Sequence, residues 1–178
     1  TRIIRQAYFE HADYVPLVLR AYDLWAELSA ARGEELFRQT GLLQAGPPEG
    51  EVVRGVLGSA AQHGLDVESL TAVESEARFP GLRVPPSMAA VYESKAGFLW
   101  VERCVAAQAA AAIALGAELR SGESIVGWQP IAGGFRVTTN HGDYDAARLI
   151  ITAGAWAAQL LGDLWKSRGL ALQVLRKP

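Results

Sequence analysis

The sequence predicts a mixed α/β fold, in which helices alternate with short strands and an antiparallel meander follows the last long helix. Two observations predict it. Apolar residues recur at helical spacing in several separate stretches, and short runs of β-branched and aromatic residues lie between them, bounded by glycine or proline. The segment from Leu36 to Met88 has strands and helices of its own, so we expect it to be inserted into the layer formed by the rest of the chain.

The predicted helices share a 3.6-residue apolar period and a recognisable start or stop. They are Tyr14 to Ala31, Glu51 to His63, a short helix that begins after Thr71, Val101 to Leu115, and Ala155 to Leu161. Asp13 stands where the first helix needs an N-cap, and Thr71 with Glu74 has the spacing of a capping box.

The predicted strands are short runs with glycine, proline or asparagine at their ends. They are Leu36 to Ala45, Asp66 to Ser69, Ala89 to Tyr92, Gly97 to Trp100, Leu119, Ile125 to Val126, Phe135 to Thr139, and Leu149 to Thr152. Gly133-Gly134 and Asn140-His141-Gly142 separate the runs of the predicted meander.

The stretch RLIITAGAW, Arg148 to Trp156, is predicted to be a strand, a small-residue turn and the start of a helix. Such a turn presents unpaired N–H groups and the positive end of a helix dipole, which suits an anion or the edge of a flat cofactor. The same arrangement also occurs where a strand and a helix merely connect two parts of a core, and this stretch alone leaves both interpretations open.

The composition excludes several classes of protein. The 17 basic and 19 acidic residues nearly cancel, so the charge footprint of a nucleic-acid binder is absent. No uncharged apolar run reaches the ~18 residues of a membrane span. The single cysteine, Cys104, excludes a disulfide framework and is expected to be a small buried hydrophobe, which suits a reducing cytoplasm.

The candidate chemical residues are few. Arg2 and Arg5 are three positions apart, and two neighbouring guanidinium groups are held together most readily by an anion between them; a solvated basic edge is the alternative. The three histidines are expected in surface or turn positions and lack metal-ligand spacing, so no metal site is predicted. The glycine fingerprint of a dinucleotide-binding turn is also missing from the sequence.

Five segments nevertheless carry a resemblance that extends over essentially the whole chain. They are TRIIRQAYFE, GLLQAGP, YESKAGFLWVERCVAA, GAEL and RLIITAGAW, in that order. Together they resemble the middle of the monomeric sarcosine oxidase and N-methyltryptophan oxidase family, which is related to D-amino acid oxidase. The chain begins at Thr1 without methionine and stops at Pro178, and the resemblance implies that it is an internal fragment of a longer enzyme.

The resemblance implies a set of site residues for an FAD-dependent enzyme. Arg5 would pair with the substrate carboxylate, and Arg2 would lie beside the flavin ring. The cofactor contacts would come from Thr1, Arg2, the backbone of Ile125, and Gly154, Ala155 and Trp156. The implied domains are an incomplete FAD-binding part, 1–35 and 97–165, with a Rossmann-like layer, and an incomplete substrate-domain part, 36–96 and 166–178.

The implied reaction is oxidation of the C–N bond of a secondary amino acid to an imine, which then hydrolyses. Flavin would be reoxidised by oxygen, with release of hydrogen peroxide. In the family, the glycine fingerprint would precede Thr1, and the flavin-tethering cysteine, the oxygen-activating lysine and a second carboxylate-binding group would follow Pro178. Cys104 does not match the tether.

Two other functions remain open at this stage. One is a cofactor-free scaffold or interaction module of the same fold. The other is an FAD-dependent amino acid dehydrogenase that passes electrons to a partner instead of oxygen. The substrate within the amino acid class and the oligomeric state are also left open by the sequence.

Overall fold

The structure is a computed structural model that describes residues 2–162, 167 and 169. The chain divides into two compact units, one extending to Ala117 and the other beginning at Glu118. This division follows the contacts within the chain. The division into an FAD-binding and a substrate-domain part is a functional one and stays a prediction.

Helices and short strands alternate along the chain, as the sequence predicts. In chain order the elements are β1 (Arg2–Ile4), α1 (Tyr14–Arg32), β2 (Phe37–Gln39), β3 (Leu42–Gly46), α2 (Glu51–His63), β4 (Glu68–Leu70), α3 (Ala72–Arg78), β5 (Ala89–Glu93), β6 (Gly97–Leu99), α4 (Val101–Ala114), β7 (Ile125–Ile131), β8 (Gly134–Thr139), β9 (Asp143–Ala146), a 3₁₀ turn (Gly154–Trp156) and α5 (Ala157–Leu161). No helix in the described part of the chain is long and apolar enough to cross a membrane.

The first unit contains two antiparallel sheets, with strand orders β1-β6-β2 and β3-β5-β4. Helix α2 packs on the second sheet, where Val53 and Val56 meet Val91 of β5 and Ala7 of the segment after β1. A second cluster joins α1 and α4 to the first sheet, and its buried members are Leu36, Cys104 and Ala107. The segment after β1 is thus part of the core of this unit.

The second unit is built on the predicted meander, β7-β8-β9, whose neighbouring strands pair antiparallel. Gly133 makes the β7–β8 turn with a φ of 83°, a value that glycine adopts at no steric cost. Gly134 lies so close to β9 that a Cβ added to it would be 2.2 Å from the Ala146 carbonyl oxygen. The backbone conformation at Gly133 and the close approach of β9 at Gly134 therefore explain why both positions are glycine.

Most of the predicted helices are confirmed to within a few residues. The capping box is present, because the Thr71 side chain accepts from the Glu74 N–H and the Glu74 side chain accepts from the Thr71 N–H. The prediction that Asp13 caps α1 with its side chain was wrong. Asp13 has helical φ and ψ of −65° and −15°, whereas a capping side chain needs an extended backbone to reach the first turn.

The predicted strand from Leu36 to Ala45 is divided between the two sheets. The N–H groups of Thr40 and Gly41 both donate to the carbonyl of Ala96, and Gly41 has a φ of 74°. This turn ends β2 and redirects the chain into β3. The alternation of residue types carries no information on such a change of sheet.

The strands predicted at Leu119 and at Leu149 to Thr152 were wrong, because neither segment pairs with a strand among the described residues. A strand needs a hydrogen-bonded neighbour, and β-branched residues alone do not provide one. The turn after the second segment is a 3₁₀ turn over Gly154–Trp156, so α5 begins at Ala157 instead of Ala155.

Candidate functional site

Arg5 lies directly after β1 in a well-defined environment. Its Nη2 donates to both carboxylate oxygens of Glu10, at 2.8 and 2.6 Å, and its side chain is 16% exposed. The guanidinium carbon lies 4.5 Å from the centre of the Tyr8 ring and 4.9 Å from that of Phe9. Two aromatic faces and a carboxylate therefore hold the cation in one orientation.

The Nε atom of Arg5 is buried and has no hydrogen-bond partner in the described part of the protein. A buried donor without an acceptor costs about 1–3 kcal/mol. The guanidinium therefore retains an unsatisfied donor although its charge is balanced by Glu10.

The backbone around Arg5 is held by side chains from distant parts of the first unit. The carboxylate of Glu93 accepts from the N–H groups of Gln6 and Ala7, and the Tyr22 hydroxyl donates to the carbonyl of Ile4 at 3.2 Å. Burial, and then the negative charge of Glu93, raises the pKa of Tyr22 well above its ordinary value of 10.0. Tyr22 therefore remains a hydrogen-bond donor at neutral pH.

Helix α2 fastens the same segment further along. The hydroxyl of Ser59 donates to the carbonyl of Tyr8 at 2.5 Å. A Cβ at Gly55 would lie 2.3 Å from the carbonyl oxygen of Phe9, so only glycine allows the helix to come this close. Gly55 therefore has a packing role between α2 and the segment after β1.

A groove of about 330 Å³ lies beside this segment in the first unit. Its walls are formed by apolar and aromatic side chains of β1, α1 and β6 and of the segment after β1, namely Ile3, Ile4, Tyr8, Tyr14, Leu17, Val18, Ala21 and Leu99. Arg2 is exposed on β1 opposite Leu99. The sequence suggests either an anion held between Arg2 and Arg5 or a solvated basic edge. In the structure, the carboxylate beside Arg5 is that of Glu10.

In the second unit, the predicted cofactor contact Ile125 and the stretch Leu149 to Thr152 lie beside the same groove. Ile125 begins β7, which pairs with β8 on one side and has no strand on its other side among the described residues. The register shifts between Ile125 and Gly127, and Val126 is 70% exposed. Backbone donors and acceptors at this edge are therefore available to a ligand.

An apolar groove of about 280 Å³ lies beside that edge. It is lined by Ile125, Trp128, Val137, Leu149, Ile150, Ile151, Thr152, Ala153 and Leu160. The indole N–H of Trp128 donates to the carbonyl of Leu160 at 2.8 Å, which ties the stretch after the meander to β7. The stretch predicted as a strand therefore forms a wall of this groove.

The three predicted cofactor residues that follow this wall are exposed. Gly154, Ala155 and Trp156 form the 3₁₀ turn, Gly154 has a φ of 53°, and the Trp156 side chain is 68% exposed. Among the described residues, apart from its two chain neighbours, none has an atom within 4 Å of the position of a Cβ on Gly154. Thr1, the remaining predicted cofactor contact, lies outside the described residues.

Three acidic residues, Glu10, Glu93 and Glu123, were not predicted as site residues from the sequence. Glu10 binds the Arg5 guanidinium and Glu93 binds the backbone after Arg5, and both contacts depend on the fold. The only signal in the sequence was the position of Glu10 shortly after Arg5 and two aromatic residues. In the second unit Glu123 accepts from the hydroxyls of Thr139 and Tyr144, and these bonds hold its pKa below the ordinary value.

Cys104 and His63, the other titratable residues considered from the sequence, are part of the packing of the first unit. Cys104 is 5% exposed, its Sγ donates to the carbonyl of Leu36 at 3.5 Å, and burial raises the pKa of the thiol, which confirms a buried small side chain. His63 ends α2 with its Nε2 buried, so it is less exposed than predicted. No group of three or more potential metal ligands occurs among the described residues.

Comparison with known proteins gives one consistent result. Residues 1–177 match the family described as FAD dependent oxidoreductase. The chain is 43% identical over 164 residues to the monomeric sarcosine oxidase of Streptomyces avermitilis, covering 92% of this chain and 43% of that protein. It is 36% identical to the N-methyl-L-tryptophan oxidase of Yersinia pestis, covering 92% of this chain and 44% of that protein.

A solved structure gives the same result for the fold. NikD, described as an unusual amino acid oxidase essential for nikkomycin biosynthesis, superposes with a TM-score of 0.78 at 28% identity, covering 90% of this chain and 42% of that one. The chain thus spans less than half the length of these relatives. With its sequence matched from residue 1 to residue 177 and its mixed α/β fold shared, the chain belongs to the FAD-dependent oxidoreductase family.

Proposed function

We propose that the chain is part of an enzyme that oxidises the C–N bond of a secondary amino acid, such as sarcosine or another N-methyl amino acid, to an imine. FAD is the proposed cofactor, and oxygen is the proposed electron acceptor, which yields hydrogen peroxide. The observation that carries the proposal is Arg5, a nearly buried cation whose orientation is fixed by Glu10, Tyr8 and Phe9. The similarity to sarcosine and N-methyl-L-tryptophan oxidases supports the substrate class.

The described residues fit parts of FAD. The free edge of β7 at Ile125 and the apolar groove beside it suit the edge and face of a flat heterocycle. Gly154 leaves open space where a side chain would stand, so Gly154, Ala155 and Trp156 can lie along a ligand. FAD supplies the redox chemistry when it is bound, by taking up the two electrons that leave the substrate.

The chain's own contribution is binding and orientation. In the proposed complex, the substrate carboxylate accepts a hydrogen bond from Arg5, and this contact selects amino acids over plain amines. Glu10 continues to accept from Nη2. Arg2 is proposed to lie beside the flavin, where a positive charge favours the negative charge that develops on reduction. The near-balance of charges and the single buried cysteine support a protein of the cytoplasm that binds no nucleic acid.

The test uses the complete gene product loaded with FAD. Because a hydrogen bond to a charged group contributes about 1.5–3 kcal/mol, Arg5→Ala is expected to raise the KM for sarcosine by about 10- to 100-fold. Flavin content, read from the visible absorbance, is expected to stay unchanged. Arg20→Ala is the matched control, since Arg20 is a 58% exposed arginine of α1.

An amine substrate without a carboxylate shows whether Arg5 acts specifically on the substrate carboxylate. The rate with dimethylamine is expected to be the same in the Arg5→Ala variant and the unmodified enzyme, because this substrate has no carboxylate for Arg5. An unchanged KM for sarcosine would reject the role of Arg5. Hydrogen peroxide formed per sarcosine consumed tests the acceptor, and turnover with an electron-accepting dye but without peroxide would indicate a dehydrogenase.

A further inference from the structure

Glu93 is a buried carboxylate that the proposed chemistry does not use. It ends β5 and is 1% exposed. Its Oε1 accepts from the N–H of Gln6 at 2.6 Å and its Oε2 from the N–H of Ala7 at 3.1 Å. These two residues follow Arg5 directly, although they lie 86 or more positions away from Glu93 in the sequence.

Tyr22 holds the chain on the other side of Arg5. Its hydroxyl lies 3.2 Å from the carbonyl oxygen of Ile4 and 3.1 Å from that of Lys95, and its single proton is shared between these two acceptors. Lys95 belongs to the β5–β6 turn that Glu93 begins, so one turn of the fold is connected to the backbone before and after Arg5. We call Glu93 and Tyr22 the backbone clamp.

The charge of Glu93 has a physical consequence. A buried charge is costly unless it is hydrogen-bonded, and the donors that meet this carboxylate are two adjacent backbone N–H groups. An apolar residue would fill the same space without that cost. A carboxylate, which has two acceptor oxygens and no donor, fixes the directions of both N–H groups together.

We infer that Glu93 is a positioning residue for Arg5, and that with Tyr22 it sets the direction in which the guanidinium meets the substrate carboxylate. The inference rests on the proposed function of Arg5. The clamp holds residues 4–7 from both sides, and the rings that flank the guanidinium follow at Tyr8 and Phe9. A change at residue 93 therefore reaches the substrate through Arg5.

The test is Glu93→Gln in the complete, FAD-loaded gene product. Glutamine has the same shape but turns one acceptor into a donor that faces an N–H group. Because a misplacement of about 1 Å can cost 10²-fold, the KM for sarcosine is expected to rise about 10-fold with kcat changed much less. The rate with dimethylamine is expected to stay unchanged.

Two controls separate positioning from general loss of structure. Glu68→Gln makes the same substitution on the neighbouring strand of the same sheet, at an exposed ion pair with Arg78, and is expected to leave the KM unchanged. In an Arg5→Ala background, Glu93→Gln is expected to have no further effect on the KM. An equal rise in both backgrounds would overturn the inference.

Hydrogen exchange gives a readout that does not depend on turnover. The amides of Gln6 and Ala7 are expected to exchange faster in Glu93→Gln than in the unmodified protein, and as slowly as before in Glu68→Gln. Unchanged exchange at these two amides would also overturn the inference.

A second variant covers the case in which Glu93→Gln does not fold. Tyr22→Phe removes only the hydroxyl, and we expect it to raise the KM for sarcosine by about 2- to 10-fold, as for the loss of one hydrogen bond, with no effect in the Arg5→Ala background. An unchanged KM would overturn the clamp. If Arg5→Ala raises the KM and the clamp variants do not, only this inference fails; if Arg5→Ala itself has no effect, the proposed function of Arg5 fails.

Discussion

Two segments of the chain carry the most specific part of the family resemblance, and they are held in different ways. Residues 2–10 are fixed by side chains that are remote in sequence, among them Tyr22, Ser59 and Glu93. Residues 148–156 have backbone bonds within their own turn, and Ile150 and Trp156 are 84% and 68% exposed. A motif can therefore resemble a family equally well whether or not the described residues pack around it.

The difference indicates what each segment needs in order to form. The first segment has hydrogen-bond partners for its backbone within its own unit, so its geometry follows from the contacts of that unit. The second segment contains a run of strand formers, Leu149 to Thr152, but has no paired strand beside it in the described part of the chain. Its apolar side chains line a groove instead of a closed core.

The largest expected effect comes from truncating one isoleucine in each segment. Ile4 is 8% exposed and Ile150 is 84% exposed. Ile4→Ala is expected to lower the free energy of unfolding by about 2–5 kcal/mol because it leaves a cavity in a packed unit. Ile150→Ala is expected to change it by no more than about 0.5 kcal/mol.

Thermal and denaturant unfolding of both variants against the unmodified protein checks this difference. A loss in Ile150→Ala that matches the loss in Ile4→Ala would show that the second segment is packed in solution. The comparison between the two segments would then no longer hold.

A smaller effect is expected from a pair of glycines in α2. A Cβ at Gly55 would overlap the carbonyl of Phe9, whereas a Cβ at Gly58 would meet no described residue within 4 Å beyond its own turn of helix. Gly55→Ala is expected to destabilise the protein by about 1–3 kcal/mol through overpacking against the first segment. Gly58→Ala is expected to stabilise it by up to about 1 kcal/mol, because alanine favours a helix over glycine.

Unfolding midpoints in urea measure both effects, with each glycine serving as the control for the other. Equal changes in the two variants would mean that α2 does not approach residues 2–10 as closely as the structure describes. That result would also argue against a fixed orientation of Arg5, because α2 would not hold the segment that contains it.

The sequence predicted the elements whose causes are local. Helix α2 ends where Gly64 follows it, and α3 starts at the capping box of Thr71 and Glu74, because these signals act within one turn of the chain. The strand at Leu149 to Thr152 was mispredicted, because pairing depends on another segment. Glu93 was missed for the same reason, since its partners are fixed only by the fold.

The features of the candidate site also divide into those that depend on local sequence and those that depend on the fold. Arg5 was recognised from a motif, and its proposed role depends on residue type and position in TRIIRQAYFE. Its unsatisfied Nε, its bond to Glu10 and the aromatic faces around it depend on three-dimensional packing. Residue type therefore indicates that a cation is present, and the fold determines how that cation is oriented.

The smallest expected effect concerns the meander of the second unit, which an exposed ion pair supports. Arg136 donates from Nε and Nη2 to the two carboxylate oxygens of Asp145, both at 2.7 Å, and these bonds hold the pKa of Asp145 below its ordinary value of 3.8. Because the pKa is lowered in the folded state, the stabilisation is present above pH 3.8 and is lost as the pH falls through the folded pKa.

Arg136→Gln is expected to return the pKa of Asp145 towards 3.8 and to remove this acid-dependent part of the stability of the meander. Nuclear magnetic resonance of the Asp145 carboxyl carbon against pH measures the change, and added salt is expected to reduce it because both side chains are solvent-exposed. An identical titration in the two proteins would show that the pair does not form in solution. The meander would then be held by its backbone ladder, by the ring contact of Trp128 with Phe135 and by the hydrogen bonds of Thr139 and Tyr144 to Glu123, and the second unit would differ from the first even more than the structure indicates.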